Sequence, residues 1–118
     1  MTDAVSIPHP LPEALVELIA ARFRIIGEPM RIRVLDALRD GPLTINELAE
    51  TLGASQQNVS KHVGVLAQAG IVARSKDGNR VRCTIVDDTM FELCELVCGG
   101  LRQRLSQLDE VLPGGGAA

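Results

Sequence analysis

The sequence predicts a mainly α fold of the α+β type, with five helices and one two-stranded β-hairpin. Apolar residues recur at helical spacing in five segments, and a short β-branched stretch separates the fourth segment from the fifth. Only 2% of the 118 residues are aromatic. A core of Leu, Val, Ile and Ala suits the packing of helix on helix, and the scarcity of rings argues against an RNA-stacking surface.

Breaker residues mark the first two helices. Residues 1–11 are rich in proline and are expected to form a flexible arm. A first helix follows from Pro12 to about Ile26, since proline is tolerated in the first turn. A second helix begins at Glu28-Pro29 and ends at Gly41-Pro42.

Two short capped helices follow in close succession. Thr44 and Glu47 form a Thr-x-x-Glu capping box, which opens a helix that stops at Gly53. Ser55 caps the next helix, and Gly70 ends it. This succession of helix, glycine-containing turn and capped helix predicts a helix-turn-helix.

The period then changes to that of a β-hairpin. Residues 71–75 and 80–86 are rich in β-branched side chains, and the loop Lys76–Asn79 between them contains the hairpin signal Asp77-Gly78. A hairpin directly after a helix-turn-helix is a wing. The sequence therefore predicts a winged helix-turn-helix.

A long last helix with an apolar stripe completes the domain. Asp87 or Asp88 caps this helix, which ends near Leu112. Residues 12–112 are therefore expected to form one domain, and residues 113–118 a disordered tail.

Charge is distributed unevenly along the chain. The formal net charge is −3, yet residues 54–86 carry five cations against Asp77 alone, a net charge of +4. Residues 87–118 carry six acids against two arginines, a net charge of −4. Positive potential is thus concentrated on the second helix of the helix-turn-helix and on the wing, as expected of a DNA-binding surface.

Polar residues of this second helix are suited to reading DNA bases. A helix fits the major groove, where amides, hydroxyls and cations near its N-terminus read base edges. The candidates for base reading are Ser55, Gln56, Gln57, Asn58, Ser60, Lys61 and His62. Phosphate contacts are expected from the wing residues Arg74, Lys76, Asn79, Arg80 and Arg82. An ordinary surface helix is also polar outside, but the exposed face here contains no acid.

Three segments resemble the ArsR/SmtB family of repressors. They are Phe23–Leu35, Glu47–Leu66 with its Val-Ser-Lys-His run, and Asp77–Val81. The resemblance extends from about residue 15 to residue 110. It implies a homodimer formed through the first and last helices, bound to a near-palindromic operator, and a repressor released by a metal ion, a metalloid or a thiol oxidant.

The usual metal ligands of that family are absent or incomplete in this chain. The resemblance would place thiolate ligands in residues 47–50, which contain no cysteine. It would place a second, zinc-binding set in the last helix, where Asp87 fits but Thr89, Gly100 and Gln103 replace the other three ligands. No metal site is therefore predicted, and the identity of any cofactor or inducer stays open.

Cys94 and Cys98 are the candidate thiol site. They lie four residues apart and share one face of the last helix, where two thiolates could bind a soft ion or be oxidised. Cysteine is also a small hydrophobic residue, and both positions lie on the apolar stripe, so structural packing is the alternative interpretation. The sequence leaves both open.

Other classes of protein are weaker candidates. A winged-helix protein-interaction module without DNA binding is the alternative function, because the net charge and both ends of the chain are acidic. An enzyme is not expected, since the sequence has no phosphate-binding glycine loop and no nucleophile–base arrangement. No signal peptide or membrane span is visible, and the odd number of cysteines suggests no disulfide framework, so a cytoplasmic protein without membrane contact is expected.

Overall fold

The computed structural model describes residues 7–111, with side chains to residue 107. These residues fall into two compact units, one ending at Val86 and the other beginning at Asp87. Residues 7–11 of the expected arm are exposed and form neither helix nor strand. The rest of that arm and the expected tail over residues 113–118 lie outside the described residues.

The first two helices form where the sequence predicts them. Helix α1 spans Glu13–Ile26, and helix α2 spans Pro29–Ala37 before a 3₁₀ turn over Leu38–Asp40. The side chain of Glu28 caps α2 by accepting a 3.2 Å hydrogen bond from the backbone N–H of Arg31. Proline has no backbone N–H that would need an acceptor, and its fixed φ suits the first position of a helix, which explains why α2 starts at Pro29.

The helix-turn-helix is confirmed. Helix α3 spans Ile45–Leu52 and helix α4 spans Gln56–Gln68. Both hydrogen bonds of the predicted capping box are present: the hydroxyl of Thr44 accepts from the N–H of Glu47 at 3.1 Å, and the Glu47 carboxylate accepts from the N–H of Thr44 at 2.8 Å. Gly53 ends α3 at φ +63°, in the left-handed conformation that glycine adopts without strain.

The sheet has one strand more than the predicted hairpin. Strands β2 (Val72–Asp77) and β3 (Arg80–Ile85) form the wing, and β1 (Leu43–Thr44) pairs with β3 on its other side, giving the antiparallel order β1-β3-β2. Two residues are too few to show an alternating pattern, so β1 had no signal in the sequence.

The wing loop is shorter than predicted. Asp77 pairs with Arg80, so Lys76 and Asp77 belong to β2 and the loop is Gly78-Asn79 alone. Gly78 has φ +66°, and among the described residues only glycines have a positive φ, so the φ of Asn79 is negative. A two-residue loop with a positive φ only at its first position corresponds to a type II′ turn, which matches the twist of the flanking strands.

The core of the first unit is aliphatic. Its fully buried residues come from α2, α3, α4 and the sheet, and they include Val34, Leu48, Val59, Val63, Leu66, Ile71 and Cys83. Val59, Val63 and Leu66 follow helical spacing, as predicted, and fix which side of α4 faces the core. The opposite side of α4 must therefore face solvent.

The second unit contains one long helix, α5, over Thr89–Val111. The carboxylate of Asp87 accepts hydrogen bonds from the backbone N–H of Thr89, at 3.0 Å, and from its hydroxyl. The sequence left Asp87 and Asp88 open as the cap. The side chain of Asp87 engages the first residue of α5, whereas the backbone carbonyl of Asp88 accepts from the N–H groups of Phe91 and Glu92. The predicted end at Leu112 lies outside the described residues.

Candidate nucleic-acid interface

Helix α4 presents an acid-free polar face at its N-terminal end. The hydroxyl of Ser55 accepts a 3.1 Å hydrogen bond from the N–H of Asn58, which confirms that Ser55 caps the helix. Gln57, Ser60 and Lys61 are exposed on the side opposite the core. The helix contains no Asp or Glu, so the positive end of its dipole is not neutralised by its own side chains.

His62 is the predicted contact that does not lie on this face. Its side chain is buried, with the residue only 8% exposed, and Nδ1 lies 3.4 Å from Oε2 of Glu28. Spacing explains the difference, because residue 62 falls between Val59 and Leu66 on the inward stripe. His62 therefore packs toward α2, unlike the exposed residues of the polar face.

Glu28 lies between the start of α2 and the buried histidine. Partial burial alone would raise the pKa of Glu28, but the backbone N–H groups of Met30 and Arg31, together with nearby positive charge, lower it below its ordinary value. The residue is therefore ionised at neutral pH. Its contact with His62 joins the start of α2 to α4, a contact that sequence reasoning missed.

A cleft joins α4 to the wing. Its volume is about 480 Å³, and one wall is formed by the N-terminal turns of α3 and α4 and the other by the wing. The residues that line it are Ile45, Asn46, Gln56, Gln57, Ser60, Asn79, Arg80 and Val81. Five of them are predicted DNA contacts. Asn46 is a polar residue that sequence reasoning missed, because its position beside α4 depends on the turn at Gly53.

The wing cations divide between the two faces of the hairpin. Residues directly opposite each other in an antiparallel pair share a face. Arg74 and Lys76 lie opposite Cys83 and Val81, whereas Arg80 lies on the other face, opposite Asp77. The cations predicted to surround the tip are thus brought to both sides of it.

Two wing arginines have neighbours within the protein. A guanidinium nitrogen of Arg74 lies 3.7 Å from the point where a Cβ on Gly64 would stand, so Arg74 lies against α4. Arg82 forms a 2.7 Å ion pair with Asp77. Arg80, by contrast, is exposed and lines the cleft.

The three cysteines differ in accessibility. Cys83 is completely buried in β3, and burial raises the pKa of its thiol. On α5, Cys94 is half-buried and Cys98 is exposed. Among the described residues, neither of these two is fully buried, in contrast to Cys83.

The described residues do not fit the zinc site of the resembled family. Thr89, Gly100 and Gln103 offer no imidazole or carboxylate, and the Asp87 carboxylate is engaged by Thr89 at the start of α5. Within residues 7–111, no group of three or more His, Cys, Asp or Glu side chains could hold a metal ion. Among the same residues, no helix is long and apolar enough to cross a membrane.

The capped helix-turn-helix, the acid-free face of α4 and the basic hairpin define a winged-helix DNA-binding protein. Comparisons with known proteins agree. A family model described as a helix-turn-helix domain matches residues 26–74. The chain is 32% identical over 110 residues to the HTH-type transcriptional regulator Rv0081 of Mycobacterium tuberculosis, with 89% of this chain and 96% of the relative covered.

Solved structures and a second relative extend the comparison. The crystal structure of Rv0081 superimposes with a TM-score of 0.74 at 33% identity, covering 86% of this chain and all of that one. The crystal structure of the antimony-specific transcriptional repressor AntR gives a TM-score of 0.73 at 25% identity, covering 88% and 95%. The regulator KmtR of M. tuberculosis is 37% identical over 74 residues, which are 63% of this chain and 57% of KmtR.

The chain belongs to the ArsR/SmtB family of winged-helix transcriptional repressors. It is a DNA-binding transcriptional regulator, since the relatives that cover it are regulators of this kind and not enzymes or pure protein-interaction modules.

Proposed function

We propose that the protein is a homodimeric repressor that reads a near-palindromic operator with α4 and holds the DNA backbone with its wing. The cleft is the observation that carries this proposal, because it brings Gln56, Gln57 and Ser60 together with Asn79 and Arg80. One wall carries amides suited to reading bases, and the other carries groups suited to binding phosphate. In DNA recognition, base contacts give specificity and phosphate contacts position the protein. Such a regulator would act in the cytoplasm, beside the chromosome.

The base-reading part of the proposal is tested with purified protein and the DNA upstream of its own gene. Gln57→Ala should weaken binding to this DNA by about tenfold or more, since a lost amide–base pair costs about 1–3 kcal/mol. Gln68→Ala is the matched control, because Gln68 is exposed at the other end of α4. Equal affinities of the two variants, or no specific binding by the wild type at low salt, would overturn the proposal.

The phosphate-binding part is tested by salt dependence. Lys61→Ala should reduce the slope of log affinity against log salt by about 1.8 for the dimer, about 0.9 for the phosphate neutralised by each protomer. Arg33→Ala removes an exposed cation of α2, outside the proposed interface, and should leave the slope unchanged. Identical slopes for the two variants would remove Lys61 from the interface.

The proposed dimer rests on apolar side chains that the chain itself leaves uncovered. On α1, Leu18 is 68% exposed and Phe23 is 54% exposed. On α5, Val97, Leu101 and Leu105 are each more than half exposed and follow one stripe. A soluble monomer rarely exposes two such stripes, so a second copy of the chain is the proposed partner.

Sedimentation equilibrium tests this partner. Leu101→Glu should convert the dimer to a monomer by placing a charge in the stripe. Leu96 lies outside the stripe although it is 75% exposed, so Leu96→Glu should leave the dimer intact. A wild-type monomer, or a Leu101→Glu dimer as tight as the wild type, would contradict the proposed assembly.

The proposed inducer site is the thiol pair Cys94 and Cys98. The two thiols lie four residues apart on one face of α5, and two thiolates at this spacing suit a thiophilic metalloid. AntR, described as antimony-specific, shows that a protein similar to this one responds to that class of ligand. Arsenite would lose one water molecule for each As–S bond formed, as each thiol proton leaves with a hydroxide of arsenite.

A double substitution tests this site. Arsenite should release the wild-type protein from its operator but should fail to release Cys94→Ser/Cys98→Ser. Cys83→Ser serves as the control, because Cys83 is buried and should not take part. Normal release of the double variant would show that the two thiols are not the inducer site.

A further inference from the structure

The wing carries an acid on the same face as two of its proposed phosphate contacts. Arg82 lies opposite Ser75 and Arg80 lies opposite Asp77 in the register of β2 and β3. Because opposite residues share a face, Asp77, Arg80 and Arg82 lie together, with Asp77 diagonal to Arg82. The other face, with Arg74 and Lys76, has no acid on either wing strand.

Asp77 and Arg82 are in direct contact. A guanidinium nitrogen of Arg82 donates a 2.7 Å hydrogen bond to Oδ2 of Asp77, and the two side chains are 42% and 54% exposed. The hydrogen bond from Arg82 and the charge of Arg82 lower the pKa of Asp77 below its ordinary range. The same contact, followed by the nearby charge of Glu47, raises the pKa of Arg82. At neutral pH the pair is therefore fully ionised, and the charge of Arg82 is offset within the protein.

An exposed ion pair of this kind is easily exchanged. Pairs open to water contribute little to stability, so Arg82 loses little by leaving Asp77. A DNA phosphate offers the same guanidinium a full negative charge, and its binding also releases condensed counterions. The Asp77 carboxylate that is left behind then stands near the DNA backbone and repels it.

We propose that Asp77 is an intramolecular competitor of DNA phosphate for Arg82 and holds the affinity of the wing below the value that its cations alone would give. The inference rests on the proposed role of the wing in DNA binding. Asp77 then lowers the affinity of the wing for operator and for other DNA alike, because the phosphate contacts of the wing do not depend on sequence.

The test uses a mixed-sequence duplex of about 30 base pairs, because phosphate contacts do not depend on sequence. Asp77→Asn should bind this duplex about three- to tenfold more tightly at about 50 mM salt, with a salt slope for the dimer steeper by up to about 1.8, about 0.9 for each wing. Asp36→Asn is the matched control: it also removes one exposed carboxylate that pairs with an arginine, Arg39 at 3.6 Å, but on α2. In an Arg82→Gln background, Asp77→Asn should give no gain beyond that of the control.

Each outcome separates the inference from the function on which it rests. Equal gains from Asp77→Asn and Asp36→Asn would overturn the inference and leave DNA binding intact. A gain from Asp77→Asn that persists with Arg82→Gln would also overturn it, because the effect would then be one of general charge. A wild type that binds no duplex at low salt would overturn the proposed function as well. If the Asn variant is poorly folded, Asp77→Ser should reproduce the gain in affinity, because serine is also suited to positions beside a turn.

Discussion

The imidazole Nδ1 of His62, in the middle of α4, lies 3.4 Å from the carboxylate Oε2 of Glu28, the residue that caps α2. One carboxylate therefore serves both the start of α2 and the buried side of the proposed base-reading helix. His62 is only 8% exposed and its Nδ1 forms no hydrogen bond, so the contact with the Glu28 carboxylate is electrostatic and shielded from water. The contact thus joins the start of α2 directly to the middle of α4.

This contact predicts that substitutions at the two positions are not additive. Glu28→Ala and His62→Ala should each lower the free energy of unfolding, but the double variant should lose less than the sum, because each single change already removes the partner of the other. Urea denaturation of the wild type, both single variants and the double variant measures the coupling. Glu28→Ala combined with Lys61→Ala is the control, since Lys61 is exposed, and it should be additive. Additivity in both pairs would show that the contact has no energetic role.

A second tie connects α1 to the C-terminal end of α4. A guanidinium nitrogen of Arg22 donates a 2.8 Å hydrogen bond to the carbonyl oxygen of Ala69, the C-cap of α4. A cation at this end of a helix is stabilising, so Arg22→Ala should lower the free energy of unfolding by about 1 kcal/mol. Arg24→Ala, at an exposed position on the same helix, should change it by less than about 0.5 kcal/mol. Similar losses in chemical denaturation would argue against the tie.

The capping box of α3 predicts a specific acid sensitivity. The hydrogen bond from the backbone N–H of Thr44 lowers the pKa of Glu47, and this outweighs partial burial. A carboxyl group whose pKa is lower in the folded protein stabilises the fold above its ordinary pKa, and that contribution is lost as the pH falls below about 5. Glu47→Gln should therefore reduce the loss of stability between neutral pH and about pH 3.5.

Urea unfolding at the two pH values measures this difference. Glu50→Gln is the matched control, because Glu50 is exposed on the same helix and lies outside the capping box. If both glutamine variants lose as much stability in acid as the wild type, Glu47 does not contribute through its carboxylate.

Burial predicts that Cys83 is the unreactive thiol. Its side chain is inaccessible, and burial raises the pKa of the thiol, so little of the reactive thiolate forms. In a Cys94→Ser/Cys98→Ser variant, an aromatic disulfide reagent should modify Cys83 only when the protein is unfolded in denaturant. Modification of the folded variant at the rate of the unfolded one would contradict the burial of β3.

Local signals made much of the fold predictable. The capping box of Thr44 and Glu47, the Ser55 cap and the glycine turns act over three or four residues, so their hydrogen bonds can be inferred from the printed sequence. The inward position of His62 was also inferable from its spacing relative to Val59 and Leu66. Its polar character led to the opposite prediction, because polar residues usually face solvent.

Contacts between distant parts of the chain were not predictable. Strand β1 is two residues long and exists because β3 offers it a free edge. The cleft needs the first turn of α3 beside α4 and the wing, an arrangement decided by core packing. The ion pair between Asp77 and Arg82 depends on the hairpin register, which a two-residue loop sets and a four-residue loop would shift.

The sequence by itself determined the order of the elements, their caps, the acid-free face of α4 and the basic wing. Each of these features depends on residues that are close together in the sequence and whose spacing matches a helical or strand period. Only the tertiary structure decided that Glu28 meets His62, that Arg22 reaches Ala69 and that Arg82 is held by Asp77. The two contacts made to α4 join residues more than thirty positions apart, and the third depends on strand register. Their geometry follows from the packing of the whole unit.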